Sequence, residues 1–198
     1  MHAHSYYPPY LIRTSEEVPL SGSQGLSKGK QYSPYVIHEA AMDFIRTHAK
    51  SPFFTSLRYT PPHGLFDIPV DDPAWGLSCD KPWPETARRF AAMVSMVDRQ
   101  VGESIALLKE LNVEEYTLFI FSGDNGGAYY FAAKELPRGL HRTNKHPETG
   151  VEYRGEKGTL YEGGLRIPFV ARWPGHIEAE SVSDQVGDFP DVLPTIAE

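Results

Sequence analysis

A single cysteine, Cys79, excludes an internal disulfide and a zinc cluster built on cysteine, and it leaves the redox compartment open. No apolar run approaches the roughly 20 residues needed to cross a bilayer. Residues 1–10 also lack the basic and apolar blocks of a signal peptide, so a soluble chain without an address is expected. Basic residues are in short supply. Nineteen Lys and Arg against 26 Asp and Glu give a formal charge of −7, so the overall field repels polyanions and nucleic acid is not an expected partner. An anionic ligand must then be recognised by a few local cations in a pocket.

What remains is ordinary for a globular protein. The chain has 198 residues, 40% of them hydrophobic and 12% aromatic, enough for one sizeable core or a large part of a bigger one. Residues 1–31, rich in Tyr, Pro, Gly and Ser, read as an irregular connector. Ser33 as N-cap and Pro34 at the first helical position open a helix with Val36, Ile37, Ala40, Ala41, Phe44 and Ile45 at helical spacing. That helix ends before Pro52. The aromatic run 53–59 reads as a buried strand leading into Pro61, Pro62 and His63. Residues 67–84 are a proline-shaped excursion.

From residue 85 to 111, Phe90, Met93, Val94, Val97, Val101, Ile105, Leu108 and Leu111 mark one face of a long amphipathic helix. The run 116–121 is too apolar for a strand with one wet face and suits one buried on both sides. Residues 128–164 read as mostly irregular, 166–173 as another strand, and 188–198 as the start of a helix. This order implies crossover connections. The expected fold class is therefore α/β, a mostly parallel sheet sandwiched by helices, with ligands beyond the carboxyl ends of the strands.

Four residues stand out chemically. Asp124 and Asn125 are hard oxygen donors suited to Ca²⁺ or Mg²⁺, beside glycines that let backbone approach an ion. Asn-Gly is equally a common turn dipeptide, and the position after a buried strand is what favours a site. His63, between Pro62 and Gly64, can donate to an anion or a leaving group, or be merely solvated. Lys157, in the glycine-rich stretch 154–164, can place a compact charge on sulfate or phosphate oxygens, or be surface. Cys79 has no adjacent base or helix start to lower its pKa and is not read as a nucleophile. Asp98 and Arg99 read as a structural pair.

These pieces together resemble the sulfatase family of the alkaline-phosphatase-like superfamily. The run GEKGTLYEGGLRIPFVARWPG at 155–175 resembles the family's second signature and the core strand after it. FIFSGDNGG at 119–127 resembles its calcium-binding segment, and PFFTSLRYTPPHGLFDIP at 52–69 the strand and loop bearing a sulfate-contacting histidine. YSPYVIHEAAMDFI from Tyr32 and DFPDVLPTIAE from Asp188 are similar to family segments too, so the resemblance covers nearly the whole chain from about Tyr6.

The resemblance implies that Asp124 and Asn125 are metal ligands, that His63 lies near the scissile ester, and that Lys157 contacts the sulfate. Arg154 is suggestive only. It also implies Ca²⁺, with Mg²⁺ as the alternative, polarising a sulfate that a formylglycine hydrate attacks. The family's nucleophile motif, Cys or Ser followed by x, Pro or Ala, Ser, x and Arg, is absent from these 198 residues, as are the early paired aspartates.

The expected identity is thus a partial, incomplete catalytic domain, residues 1–198, of a sulfuric-ester hydrolase, inactive alone. Met1 reads as an internal start. A sulfated sugar or small aryl sulfate is the expected partner, and the complete protein is expected in the periplasm or outside the cell. The alternatives are a phosphoryl-transfer relative of the same superfamily and a non-catalytic sulfate-binding module.

Overall fold

A computed structural model of the chain describes residues 5–25, 29–128, 145–146 and 148–197. Two hairpin-like ladders and two packed helices carry the architecture. Strands β1 (Tyr10–Arg13) and β2 (Glu16–Pro19) pair antiparallel, joined by a two-residue turn in which Thr14 takes a left-handed φ of 60°. A hairpin therefore lies inside the segment read as an irregular connector. Its short strands offer little apolar alternation, which is why periodicity misses it.

Helix α1 (Ser33–His48) starts one residue earlier than expected: Tyr32 occupies the cap position without a side-chain cap bond, and Ser33 is already helical and buried. The Tyr32 ring is needed elsewhere. It packs on Tyr6, Tyr7 and Tyr35, with ring centroids 5.6, 5.4 and 4.9 Å away, at the centre of a cluster that includes Ile68, Ala74, Met93 and Met96. Burial of this aromatic wedge fixes where the chain enters the helix.

Helix α2 (Pro73–Gly76) is a single turn, and helix α3 (Glu85–Glu110) is the longest element. Its buried stripe is Ala92, Met93, Met96, Gln100, Ser104, Leu107 and Leu108, rotated from the stripe expected, so that Val94 faces water at 44% exposure. Polar Ser104 is tolerated inside because its hydroxyl reaches the Gln100 backbone carbonyl at 2.9 Å and Met42 Sδ at 3.7 Å, whereas the buried Gln100 Oε1 has no hydrogen-bond partner among the described residues. An apolar-only count cannot see such positions. A second cluster, Met42, Ile45, Leu107 and Leu108 with Phe53 and Phe119 against it, joins α1, α3 and the following strand.

Strand β3 (Phe119–Ser122) pairs with β4 (Phe169–Arg172) antiparallel, Phe119 opposite Arg172 and Ser122 opposite Phe169. Every ladder among the described residues is antiparallel. The α/β character stands, while the mostly parallel sheet is not what these ladders form. An antiparallel pair needs no crossover helix, and among the described residues the link between β3 and β4 holds the one-turn α4 (Glu162–Leu165). The chain re-enters at the end from which it left. Residues 53–59 are extended, with exposure alternating at period two, but join no ladder among the described residues. Nor is β3 buried on both faces, since Phe121 is 37% exposed and its neighbours on β4, Phe169 and Val170, are 55% and 57% exposed. Helix α5 (Phe189–Ala197) closes the described chain.

Candidate active site

The loop after β3 and the glycine-rich loop before β4 are laced together by backbone. Gly126 N–H donates to the Gly164 carbonyl at 2.9 Å, and Lys157 N–H donates to the Gly127 carbonyl at 2.9 Å. Glycine is required for this approach: a Cβ at Gly126 would stand 2.1 Å from the Gly163 carbonyl oxygen, and one at Gly164 2.2 Å from that of Thr159. Either contact is far inside van der Waals range. The structure thus brings Lys157, Asp124 and Asn125 into one pair of interlocked loops at the end of β3.

Within that cradle Asp124 is exposed and forms no ion pair among the described residues. Asn125 donates Nδ2–H to the Gly126 carbonyl at 2.9 Å, which leaves its Oδ1 as an acceptor. The donor chemistry, one carboxylate and one amide oxygen, fits a hard divalent cation in kind. No group of three or more His, Cys, Asp or Glu converges as a metal site among the described residues. Lys157 is half-buried, and the turn around it is locked by Thr159, whose hydroxyl accepts from Glu156 N–H at 3.0 Å and donates to the Glu156 carbonyl at 2.7 Å.

His63 sits on a loop without secondary structure that runs from residue 60 to 72. Its N–H donates to the Thr60 carbonyl at 3.0 Å, and its carbonyl accepts from the Tyr6 hydroxyl at 2.8 Å. The same loop is pinned at three more points. Tyr59 bonds His38 Nδ1 at 2.7 Å, while His38 Nε2 meets Glu103 at 2.8 Å. Asp67 pairs with Arg89 at 2.8 Å, and its carbonyl accepts from Tyr32 at 2.8 Å. Asp72 closes the series.

The Asp72 carboxylate is met by both terminal nitrogens of Arg99 at 2.9 Å, by the Tyr35 hydroxyl, and by Ala74 N–H at 2.7 Å as cap of α2. Burial opposes its ionisation, and the bonds from Arg99, Tyr35 and Ala74 outweigh that, so its carboxyl is held below the ordinary range. Tyr7, buried and near Asp67, is pushed up to about 12. Arg99 therefore belongs to Asp72 and not to its neighbour Asp98, which is exposed. Sequence reasoning missed these anchors. Asp72 before Pro73 did carry a signal, the capping residue followed by proline at the first helical position. Cys79 is half-buried, and its Sγ lies 3.8 Å from the Gly76 carbonyl oxygen.

A polypeptide with this α/β scaffold, an acidic loop and a glycine-locked lysine at one strand end is matched by a known family. The family model for sulfatases matches residues 2–198, and the chain belongs to the sulfatase family. N-acetylgalactosamine-6-sulfatase of Rattus norvegicus is 32% identical over 92% of this chain and 31% of its own length. N-acetylgalactosamine-6-O-sulfatase of Bacteroides thetaiotaomicron is 29% identical over 72% of this chain and 26% of its own. The crystal structure of Ps i-CgsB in complex with k-i-k-neocarrahexaose superimposes with a TM-score of 0.60 at 27% identity, over 80% of this chain and 32% of that one. The chain thus spans about a third of the length of the relatives it matches.

Proposed function

We propose that this chain carries the metal-holding and anion-binding part of a sulfatase active site, in a protein that hydrolyses sulfate esters of a glycan. The observation that carries the reading is the backbone lacing of the 124–127 loop to the 154–164 loop, which sets Lys157 beside Asp124 and Asn125. Family membership supports the reaction class. The sugar sulfates named for the rat and bacterial relatives, and the oligosaccharide on Ps i-CgsB, favour a sulfated glycan over a small aryl sulfate.

Asp124 and Asn125 are the residues that would hold the divalent cation, Ca²⁺ or Mg²⁺, through Asp124 carboxylate and Asn125 Oδ1 oxygens. When bound, such a cation supplies Lewis-acid polarisation of a sulfate oxygen. Lys157 contributes a compact positive charge to the same anion, held in place because its own backbone N–H is fixed on Gly127. His63 is the group assigned to the leaving oxygen, since its ring can hold or give up a proton near neutral pH. Its loop is anchored so that the ring need not be ordered at the moment of reaction. The formylglycine nucleophile comes from outside these 198 residues, so the chain alone binds sulfate without turning it over.

The reading is tested in a protein that joins this chain to a formylglycine-bearing segment. Asp124→Ala and Lys157→Ala should each lower kcat/KM toward a sulfated disaccharide roughly 100-fold or more, as loss of one transition-state charge partner does. Secondary structure by circular dichroism should be unchanged. Wild-type turnover surviving both substitutions, or a preference for the matching phosphate ester, would overturn it.

A further inference from the structure

Arg46, Arg89, Arg99, Arg166 and Arg172 each pair with a carboxylate. Arg13, Arg58, Arg88 and Arg154 do not, among the described residues, and Arg154 is the one of these four on the loop of Lys157. Its guanidinium carbon lies 3.8 Å from the centroid of the Tyr161 ring, and Nη2–H donates to the hydroxyl of the same tyrosine at 2.7 Å. The backbone is held as well: the Arg154 carbonyl accepts from Gly163 N–H at 2.8 Å, and Gly155 beside it takes a φ of 78°. Arg154 is exposed, and Tyr161 is 46% exposed.

A guanidinium laid on an aromatic ring has given up most of its rotamer freedom before any ligand arrives. Its remaining N–H groups form a planar fork that matches two oxygens of a sulfate or carboxylate. The location is equally specific, since Lys157 lies three residues further along the same loop and is half-buried where Arg154 is exposed. The two cations therefore sit at different depths. A sulfate monoester carries a single negative charge, which the groups assigned to it above already balance, so a further cation at the rim is matched by a second anionic group.

We propose that Arg154, stacked on Tyr161, pairs with a second anionic group of a glycan substrate, outside the ester that Lys157 contacts, and so selects polyanionic saccharides over singly sulfated ones. The assignment rests on the reading of Lys157 given above. It makes Arg154 a specificity-determining residue and leaves the bond-breaking groups as assigned.

The test is calorimetric titration of the full chain with three disaccharide probes: one with two sulfates, one with a sulfate and a uronate carboxylate, and one with a single sulfate. The wild type should bind one or both doubly anionic probes about tenfold more tightly than the singly sulfated one, the scale of one charge-assisted contact. Which of them gains shows whether the second group is sulfate or carboxylate. Arg154→Ala should erase that gap while leaving the singly sulfated probe unchanged. Arg154→Lys, which keeps charge but loses the fork and the stack, should retain only part of it. Raising the salt should narrow the gap, because an exposed pair is screened over about 8 Å at physiological ionic strength. No gap in the wild type, a gap surviving in Arg154→Ala, or equal losses on all three probes would overturn the proposal. Lys157→Ala separates the two readings: it should weaken all three probes alike. If it does not while the Arg154 gap persists, the role of Lys157 fails and that of Arg154 stands.

Discussion

Burying a carboxylate costs several kcal/mol unless charges and donors meet it, and Asp72, with its side chain 1% exposed, is met by Arg99, Tyr35 and Ala74. Replacing it by Asn removes the charge while keeping the shape. Asp72→Asn should cost about 3 kcal/mol at neutral pH, toward the lower end for breaking a buried pair because Arg99 still reaches water. The pH dependence has a definite sign. Because the folded carboxyl is held below its ordinary range, its contribution is fully present above the unfolded carboxyl's range, about pH 4, and fades as the pH falls through the folded value. Urea midpoints of wild type and Asp72→Asn should therefore differ widely at pH 7 and converge in acid; a gap independent of pH would remove the linkage.

Elements here are stabilised unevenly, and α3 shows where a gain is available. Gly102 lies inside that helix, is exposed, and a Cβ built on it meets nothing within 4 Å. Gly102→Ala should stabilise the fold by about 0.5–1 kcal/mol, since a mid-helix glycine costs that much relative to alanine. Thermal unfolding followed by circular dichroism reads the shift, and a lower midpoint would mean that the helix needs the glycine for close packing. The contrast is with Gly126 and Gly164, where a methyl has nowhere to go. Identical residues play opposite parts because one faces water and the others face backbone.

At the scale of the molecule, the count of oxygen ligands governs how well a cation is held. Ca²⁺ takes about six to eight oxygens, and on the proposed reading Asp124 and Asn125 would supply two side-chain oxygens, with carbonyls and water to add. Titration of the chain with Ca²⁺ should give a dissociation constant in or above roughly the millimolar range, as for sparsely furnished sites. Asp124→Ala should abolish even that. Micromolar binding would mean that the chain holds a complete site. The exposed aromatic and aliphatic faces of β3 and β4 sit in the same frame, in a chain about a third the length of its relatives.

Much of this was legible in the residues alone. Helices α1 and α3 declare themselves through apolar spacing and proline placement, because a helix face is a local property of a dozen or more residues. The family was legible too, since the 155–175 and 119–127 segments are continuous in sequence and each carries its own backbone constraints. Pairing was not. Whether β3 meets β4 parallel or antiparallel depends on how the chain travels between them, and the extended run 53–59 becomes a strand only if a neighbour offers hydrogen bonds. The stripe of α3 differs by part of a turn because it includes polar Gln100 and Ser104, and Ser104 is satisfied by partners one turn away and on α1.

The same division holds at the site. Residue type, the position after a strand and the resemblance to family motifs together singled out Asp124, Asn125, His63 and Lys157, since hard oxygens, an imidazole and an ammonium are what anion chemistry uses. Only the tertiary structure decided that Lys157 stands against the loop of Asp124, that four tethers hold the loop of His63, and that Arg154 lies flat on Tyr161. Composition and short-range spacing record what each residue can do locally. Hydrogen bonds between segments tens of residues apart exist only once the chain has closed on itself, and those bonds set which groups share one site.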